Sequence, residues 1–142
     1  MTNIKKNNKE ELISLVPKNK FDDGNLDRIM ALSDSEMQTI IPNLLEWTKD
    51  INWPIAMPII NILVRRERII VPYLKTVLMS KDWEWEKWIL EYLVSNISDD
   101  YICQLKPELE VFIDNEIEDD DYIDLKDTVI KLLERINGKK NS

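Results

Sequence analysis

An all-α fold is expected for this chain, specifically an α-α superhelix stacked from antiparallel helical hairpins, and three observations predict it. First, Ile41-Pro42-Asn43-Leu44-Leu45-Glu46-Trp47 returns as Val71-Pro72-Tyr73-Leu74-Lys75-Thr76-Val77, a period of 30 residues from Pro42 to Pro72. Self-similarity at a fixed period of this length marks an architecture built from copies of one supersecondary unit. Second, only two glycines, Gly24 and Gly138, occur in 142 residues, which leaves little material for tight hairpins. Third, apolar residues between 83 and 97 recur at helical spacing around most of the helix circumference, as they must in an element packed on both sides.

Residues 1–8 read as a polar tail, and an apolar-periodic segment over 9–16 ends at Pro17. A loop rich in Lys, Asp and Asn leads through Gly24 to a brief helix over 25–32. Ser33-Asp34-Ser35-Glu36 has the form of a capping box, in which Ser33 and Glu36 satisfy each other's free backbone N–H groups, so a new helix starts there.

Three repeat units follow, at about 40–64, 69–97 and 105–136. Leu44, Leu74 and Leu109 hold one position, and Trp47, Val77 and Phe112 another. Ile59/Ile89, Leu63/Leu93 and Val64/Val94 align without gaps. Trp53 and Trp83 each stand eleven residues after the repeat proline, with Asn52 and Asp82 before them as matching N-caps of the second helix. Pro54 fits the first helical position, whereas Pro58 is expected to kink the helix that follows. In the third unit Pro107 comes 35 residues after Pro72, the extra length being the acidic turn at 116–121. A final amphipathic helix over 121–137 closes the array, with Gly138 as its C-cap. The folded unit is therefore expected at 9–138, as one domain, with a short tail at 139–142.

Composition narrows the chemistry. No histidine is present, so serine–histidine and cysteine–histidine nucleophiles and the usual zinc sites cannot be built. The lone cysteine, Cys103, has no partner for an internal disulfide and is expected as a small apolar residue packed under a loop. No apolar run suggests a signal peptide or a membrane span, which makes a cytoplasmic location the default expectation. The net charge of -8 is uneven: residues 1–80 carry 11 basic and 10 acidic groups, residues 81–142 carry 8 and 17. Such a field disfavours nucleic-acid backbones and attracts basic proteins. The acidic run at 114–127 does not fit an EF-hand: with Asp114 as the first loop position, Asp119 stands where glycine is required and Leu125 where glutamate is. Its acids favour the N-terminus of the last helix instead. Arg65, Arg66 and Arg68 form the one basic cluster and read as a solvated connector.

At Leu44-Leu45-Glu46-Trp47, Asp50-Ile51-Asn52-Trp53-Pro54-Ile55-Ala56, Val71-Pro72 and Trp85-Glu86-Lys87-Trp88-Ile89-Leu90 the chain resembles a bacterial family of unknown function with HEAT-like helical repeats. The resemblance covers about residues 17–136 and implies a HEAT-like stack of hairpins but no activity. Phe21 stands where that family often has histidine, so a histidine-dependent role there is not expected.

The expected function is a non-enzymatic protein–protein interaction module, with no catalytic residue, no cofactor and no metal. Trp47 and Trp83 occupy repeat-equivalent apolar positions and are expected in the core. The docking face is expected on the second helices, at Trp53, Glu84, Trp85, Lys87, Trp88 and Glu91. An alternative is an immunity or inhibitor protein that neutralises a basic toxin or nuclease through Asp119, Asp120 and Asp121. The rival from another class is a carboxylate- or metal-dependent enzyme. The partner is a protein, with no nucleic acid and no membrane involved, and the chain is expected as a monomer or weak homodimer.

Overall fold

The structure is a computed structural model that describes residues 8–140, with side chains through Gly138. Among these residues every regular element is helical and none is a strand. Residues 1–7 of the expected polar tail at 1–8 and the last two residues of the expected tail at 139–142 lie outside the described residues.

Helix α1, Lys9–Leu15, begins at Asn8, whose Oδ1 accepts the Glu11 backbone N–H at 2.8 Å. Asn8 is thus a cap rather than the end of a tail. Val16 is extended, as the residue before Pro17 must be, and α1 stops there. The short α2, Leu26–Met30, precedes α3, Asp34–Glu46. The capping box at the start of α3 is formed: Ser33 Oγ accepts the Glu36 N–H at 3.1 Å and Glu36 Oε1 accepts the Ser33 N–H at 3.0 Å.

The next helix starts later than expected. Helix α4 is Ala56–Val64, its N-cap is Ile55, and Asn52 caps nothing. The Asn52 N–H is instead turned back onto Asp50 Oδ1 at 2.9 Å, and Pro54 lies in the turn before the helix. The Ile55 N–H donates to the Lys20 carbonyl at 3.1 Å, a tertiary bond that delays helix entry. Pro58 consequently falls in the first turn, where no N–H has an intrahelical acceptor, so the expected kink has no cause. The interior prolines are Pro42 in α3 and Pro72 in α5, Glu67–Leu78. Each removes one helical N–H. The carbonyl that Pro42 cannot serve belongs to Gln38, and Tyr73 Oη donates to it at 3.3 Å.

Beyond α5, Asp82 Oδ1 accepts the Trp85 N–H at 3.2 Å and caps α6, Trp83–Trp88. A continuous helix to residue 97 was expected. The backbone instead widens into a π turn at Ile89–Leu93 and tightens into a 3-10 turn at Val94–Asn96. Ile89, Leu90, Leu93 and Val94 are all buried along this widened segment. Helices α7, Asp99–Cys103, and α8, Lys106–Asp114, come next. Cys103 ends α7 and is exposed, not packed under a loop; Ile102 and Leu105 take the buried positions around it. The last helix, α9, runs Asp120–Lys140 straight through Gly138, which is therefore not a C-cap, and no described glycine has positive φ.

Packing runs in two rows. In one, α1 lies on α3, α3 on α5 and α5 on α8; in the other, α2 lies on α4, α4 on the π turn and the π turn on α9. Leu44, Leu74 and Leu109 are fully buried, as are Ile59, Ile89, Leu63 and Leu93, while Val64 is only half-buried. Trp47 and Trp83, expected in the core, are half-buried and pack against it from outside.

Two arginines fasten this stack in the same manner. Arg66 donates to Asp34 Oδ1 at 2.8 Å and to the carbonyls of Met30 and Leu32 at 2.9 and 2.6 Å. Arg135, on α9, donates to Asp99 Oδ1 at 2.5 Å and to the carbonyls of Ser95 and Ile97 at 2.8 and 3.1 Å. Each guanidinium bridges the end of one helical segment to the first turn of the next. The basic cluster is therefore not a solvated connector throughout: Arg65 and Arg68 are exposed, but the Arg66 side chain is 14% exposed and structural.

Candidate functional site

The turn between α5 and α6 sets the geometry of a groove against α9. Lys81, in this turn, is the one non-glycine residue with positive φ among those described, at 64°. A side chain in this left-handed region costs about 1 kcal/mol, so the turn is held by its surroundings. With Asp82 capping α6, Trp83 and Glu84 are fixed on its first turn. Helix α6 packs on α9, where the Trp83 ring meets Tyr122 edge-on, centroids 5.2 Å apart. Tyr122 is buried and its hydroxyl donates to the Phe112 carbonyl at 3.1 Å, so Trp83 leans on a rigid support.

Between these elements lies a groove of about 600 Å³ lined by Lys81, Asp82, Trp83, Glu84, Lys87, Trp88 and Asp121. Lys87 Nζ stands 5.3 Å above the Trp88 ring and 3.9 Å from Asp124 Oδ2. Trp88 is half-buried and tilted against Tyr92 at 6.0 Å, and its Nε1 is buried without a hydrogen-bond partner.

Of the residues singled out in the sequence, the groove unites Glu84, Lys87, Trp88 and Asp121. It thereby joins the aromatic face to the acidic turn, which the sequence reading kept apart. The remaining residues do not share a single face with them. Trp53 pairs edge-on with Trp47, centroids 5.6 Å apart. Trp85 lines a different groove with Pro42, Leu45 and Tyr73. Its Nε1 donates to the buried Thr48 Oγ1 at 2.9 Å, and Lys49 Nζ stands 4.8 Å over its ring. Glu91 faces α9, where its carboxylate accepts from Thr128 Oγ1 at 3.5 Å. Asp119 Oδ1 accepts the Asp121 N–H at 2.9 Å at the start of α9, and Asp120 is exposed in that first turn. These acids therefore do complement a helix N-terminus, and Asp121 alone also borders the groove.

One unusual group escaped the sequence reading. Glu86 is 1% exposed, and one of its carboxylate oxygens is buried without a partner. Burial pushes its pKa up from 4.5 to about 7; the Lys81 backbone N–H lowers it, the nearby Asp82 charge raises it further, and the Ser80 hydroxyl lowers it. The signal was present in the spacing, because Glu86 lies three residues before Ile89 and four before Leu90 and so shares their buried face. Among the described residues no group of three or more His, Cys, Asp or Glu side chains is placed to hold a metal ion, and no helix is long and apolar enough to cross a membrane.

No curated protein matches the chain. The family model described as Domain of unknown function (DUF5071) matches residues 15–133, most of the 142-residue sequence, and the chain belongs to that family.

Proposed function

We propose that this chain is a non-enzymatic protein–protein interaction module with the architecture of a HEAT-like α-α superhelix, and that its partner is a basic protein docking on the α6–α9 groove. Support for the architecture comes from the two rows of helix contacts and from the matching arginine bridges at Arg66 and Arg135. The observation that carries the docking surface is the groove itself, where half-buried Trp83 and Trp88 stand beside exposed Glu84 and Asp121. Large amphipathic rings in a concave, charge-rimmed surface are the usual anchors of protein interfaces. Every carboxylate at 114–127 is exposed, and Lys126, the one basic side chain among them, is engaged with the Asn115 carbonyl at 2.8 Å. That field supports a basic partner and opposes nucleic acid.

The test is capture from lysate by wild-type bait and by a Glu84→Lys/Asp121→Lys bait, both exposed positions, with mass spectrometry of what is retained. The wild type should retain a basic protein that the charge-reversed bait loses. Equal recovery by the two would remove the groove from consideration.

A second reading is favoured by the exposure of Asp119, Asp120 and Asp121: the partner is a toxin or nuclease whose basic substrate surface the acidic segment covers. Complex formation should then weaken steeply with salt and on neutralising these three aspartates, and the captured partner's activity should fall on binding. Indifference to both changes excludes this variant.

A further inference from the structure

We infer that the α6–α9 groove receives the side chain of an arginine presented by the partner protein, and that Lys87 fills the same position when no partner is bound. This inference rests on the protein-binding reading above and names the chemistry of its anchor.

The groove already accommodates a cation of the chain's own. Lys87 Nζ lies over the Trp88 ring, and its ion pair with Asp124 is long, at 3.9 Å, to a side chain that is 64% exposed. An exposed pair of this kind contributes little, so the ammonium is held loosely. Meanwhile the best acceptors are unused: among the described residues neither the Glu84 nor the Asp121 carboxylate is engaged in an ion pair or side-chain hydrogen bond, and both line the groove. An aromatic face, two free carboxylates and space for more than one side chain are together what a guanidinium requires. It is planar, weakly hydrated, stacks on indole and donates in a fork that matches a carboxylate. An ammonium offers a compact, strongly hydrated charge, and Lys87 already supplies one. An acidic side chain would meet Asp82, Glu84 and Asp121. The exposed carboxylates at 114–127 steer cations to this end of the molecule.

The experiment uses the full chain and three uncharged-flank peptides that differ only in carrying two arginines, two lysines or two citrullines. Affinities are measured by calorimetry at physiological salt. The arginine peptide should bind about 3- to 5-fold more tightly than the lysine peptide, and the citrulline peptide should not bind measurably. Glu84→Gln/Asp121→Asn should weaken the arginine peptide roughly tenfold, whereas Asp127→Asn, outside the groove, should change it less than about twofold. Lys87→Ala should strengthen binding by about 3-fold, because it removes the internal competitor. Equal affinity for arginine and lysine, an Asp127→Asn effect as large as that of the groove pair, or weaker binding by Lys87→Ala would each overturn the inference. If the peptides fail while the charge-reversed bait still loses its partner, the arginine anchor falls and the protein-binding reading stands. If the bait keeps its partner, that reading falls with it.

Discussion

Arg66 and Arg135 occupy equivalent clasps: each donates to an aspartate and to the carbonyls four and two residues before it, Met30 and Leu32 before Asp34, Ser95 and Ile97 before Asp99. The aspartates follow Leu32-Ser33 and Ile97-Ser98, so a short Leu/Ile-Ser-Asp element recurs at both sites. Glu67 adds a further tie at the second, accepting the Ser98 N–H at 2.9 Å and its hydroxyl at 2.8 Å.

A guanidinium that satisfies three acceptors cannot be replaced by a point charge. Arg66→Lys and Arg66→Ala should both lower stability by about 2 kcal/mol, because the freed carbonyls and Asp34 lose charge-assisted partners. Arg135→Ala should cost somewhat less, about 1–2 kcal/mol, since its side chain is 40% exposed. Arg68 also reaches Asp34, but its side chain is 70% exposed, and Arg68→Ala should cost under about 0.5 kcal/mol. Urea unfolding midpoints of the four variants check the order. An Arg66→Lys variant as stable as wild type would show that the clasp geometry is immaterial.

Glu86 should make stability depend on pH in a direction opposite to that of a paired carboxylate. Its folded pKa is about 7 against 4.5 for the free side chain, so between these values the folded chain binds the proton more tightly than the unfolded chain. Stability from this group is full below pH 4.5 and is lost as pH rises to about 7, a loss on the order of 3 kcal/mol. Glu86→Gln cannot ionise. It should therefore match wild type near pH 4.5 and exceed it by about 2–3 kcal/mol at pH 8. Denaturation of both proteins across that range gives the difference curve, and a difference independent of pH would refute the assignment.

What could be read from the chain alone was whatever local pattern controls. The Ser33–Glu36 box depends on four consecutive residues, and the burial of Leu44, Leu74 and Leu109 follows from spacing. The start of α4 was not legible, because the Ile55 N–H goes to the Lys20 carbonyl, a partner that adjacent residues do not disclose. The π turn was not legible either: Ile89, Leu90, Leu93 and Val94 repeat the spacing of Ile40, Ile41, Leu44 and Leu45 in the regular helix α3, so the pattern of apolar residues carries no sign of the widening. Tertiary packing disperses the candidate face. Trp85 and Trp88, three residues apart, end in separate grooves, and only the docking of α9 brings Asp121 beside Trp88.

Trp85 is a structural strut, and its hydrogen bond should be measurable. Thr48 is fully buried; its hydroxyl donates to the Leu45 carbonyl at 2.6 Å and accepts from Trp85 Nε1 at 2.9 Å. Thr48→Val preserves the shape but leaves the indole N–H without an acceptor, at a cost of about 1–3 kcal/mol. Thr48→Ser keeps the hydroxyl and should lose less than half of that. The comparison by thermal unfolding isolates the bond, and equal losses for Val and Ser would assign the effect to packing alone.

The Gln38 carbonyl links the interior Pro42 of α3 to the Tyr73 hydroxyl of α5, and the link predicts a coupling. Because Pro42 has no N–H to offer, Tyr73 Oη supplies a donor at 3.3 Å, a long bond at an exposed position. Tyr73→Phe should cost about 0.5 kcal/mol in the wild-type background. Pro42→Ala restores a helical N–H and a better helix former, and should stabilise by about 1 kcal/mol or more. With that amide in place the hydroxyl is redundant, so Tyr73→Phe in the Pro42→Ala background should cost almost nothing. The double-mutant cycle, read from urea midpoints at constant m-value, gives the coupling directly. Strict additivity would mean that the tyrosine contributes through its ring against α3 and that the hydroxyl does not compensate for the proline.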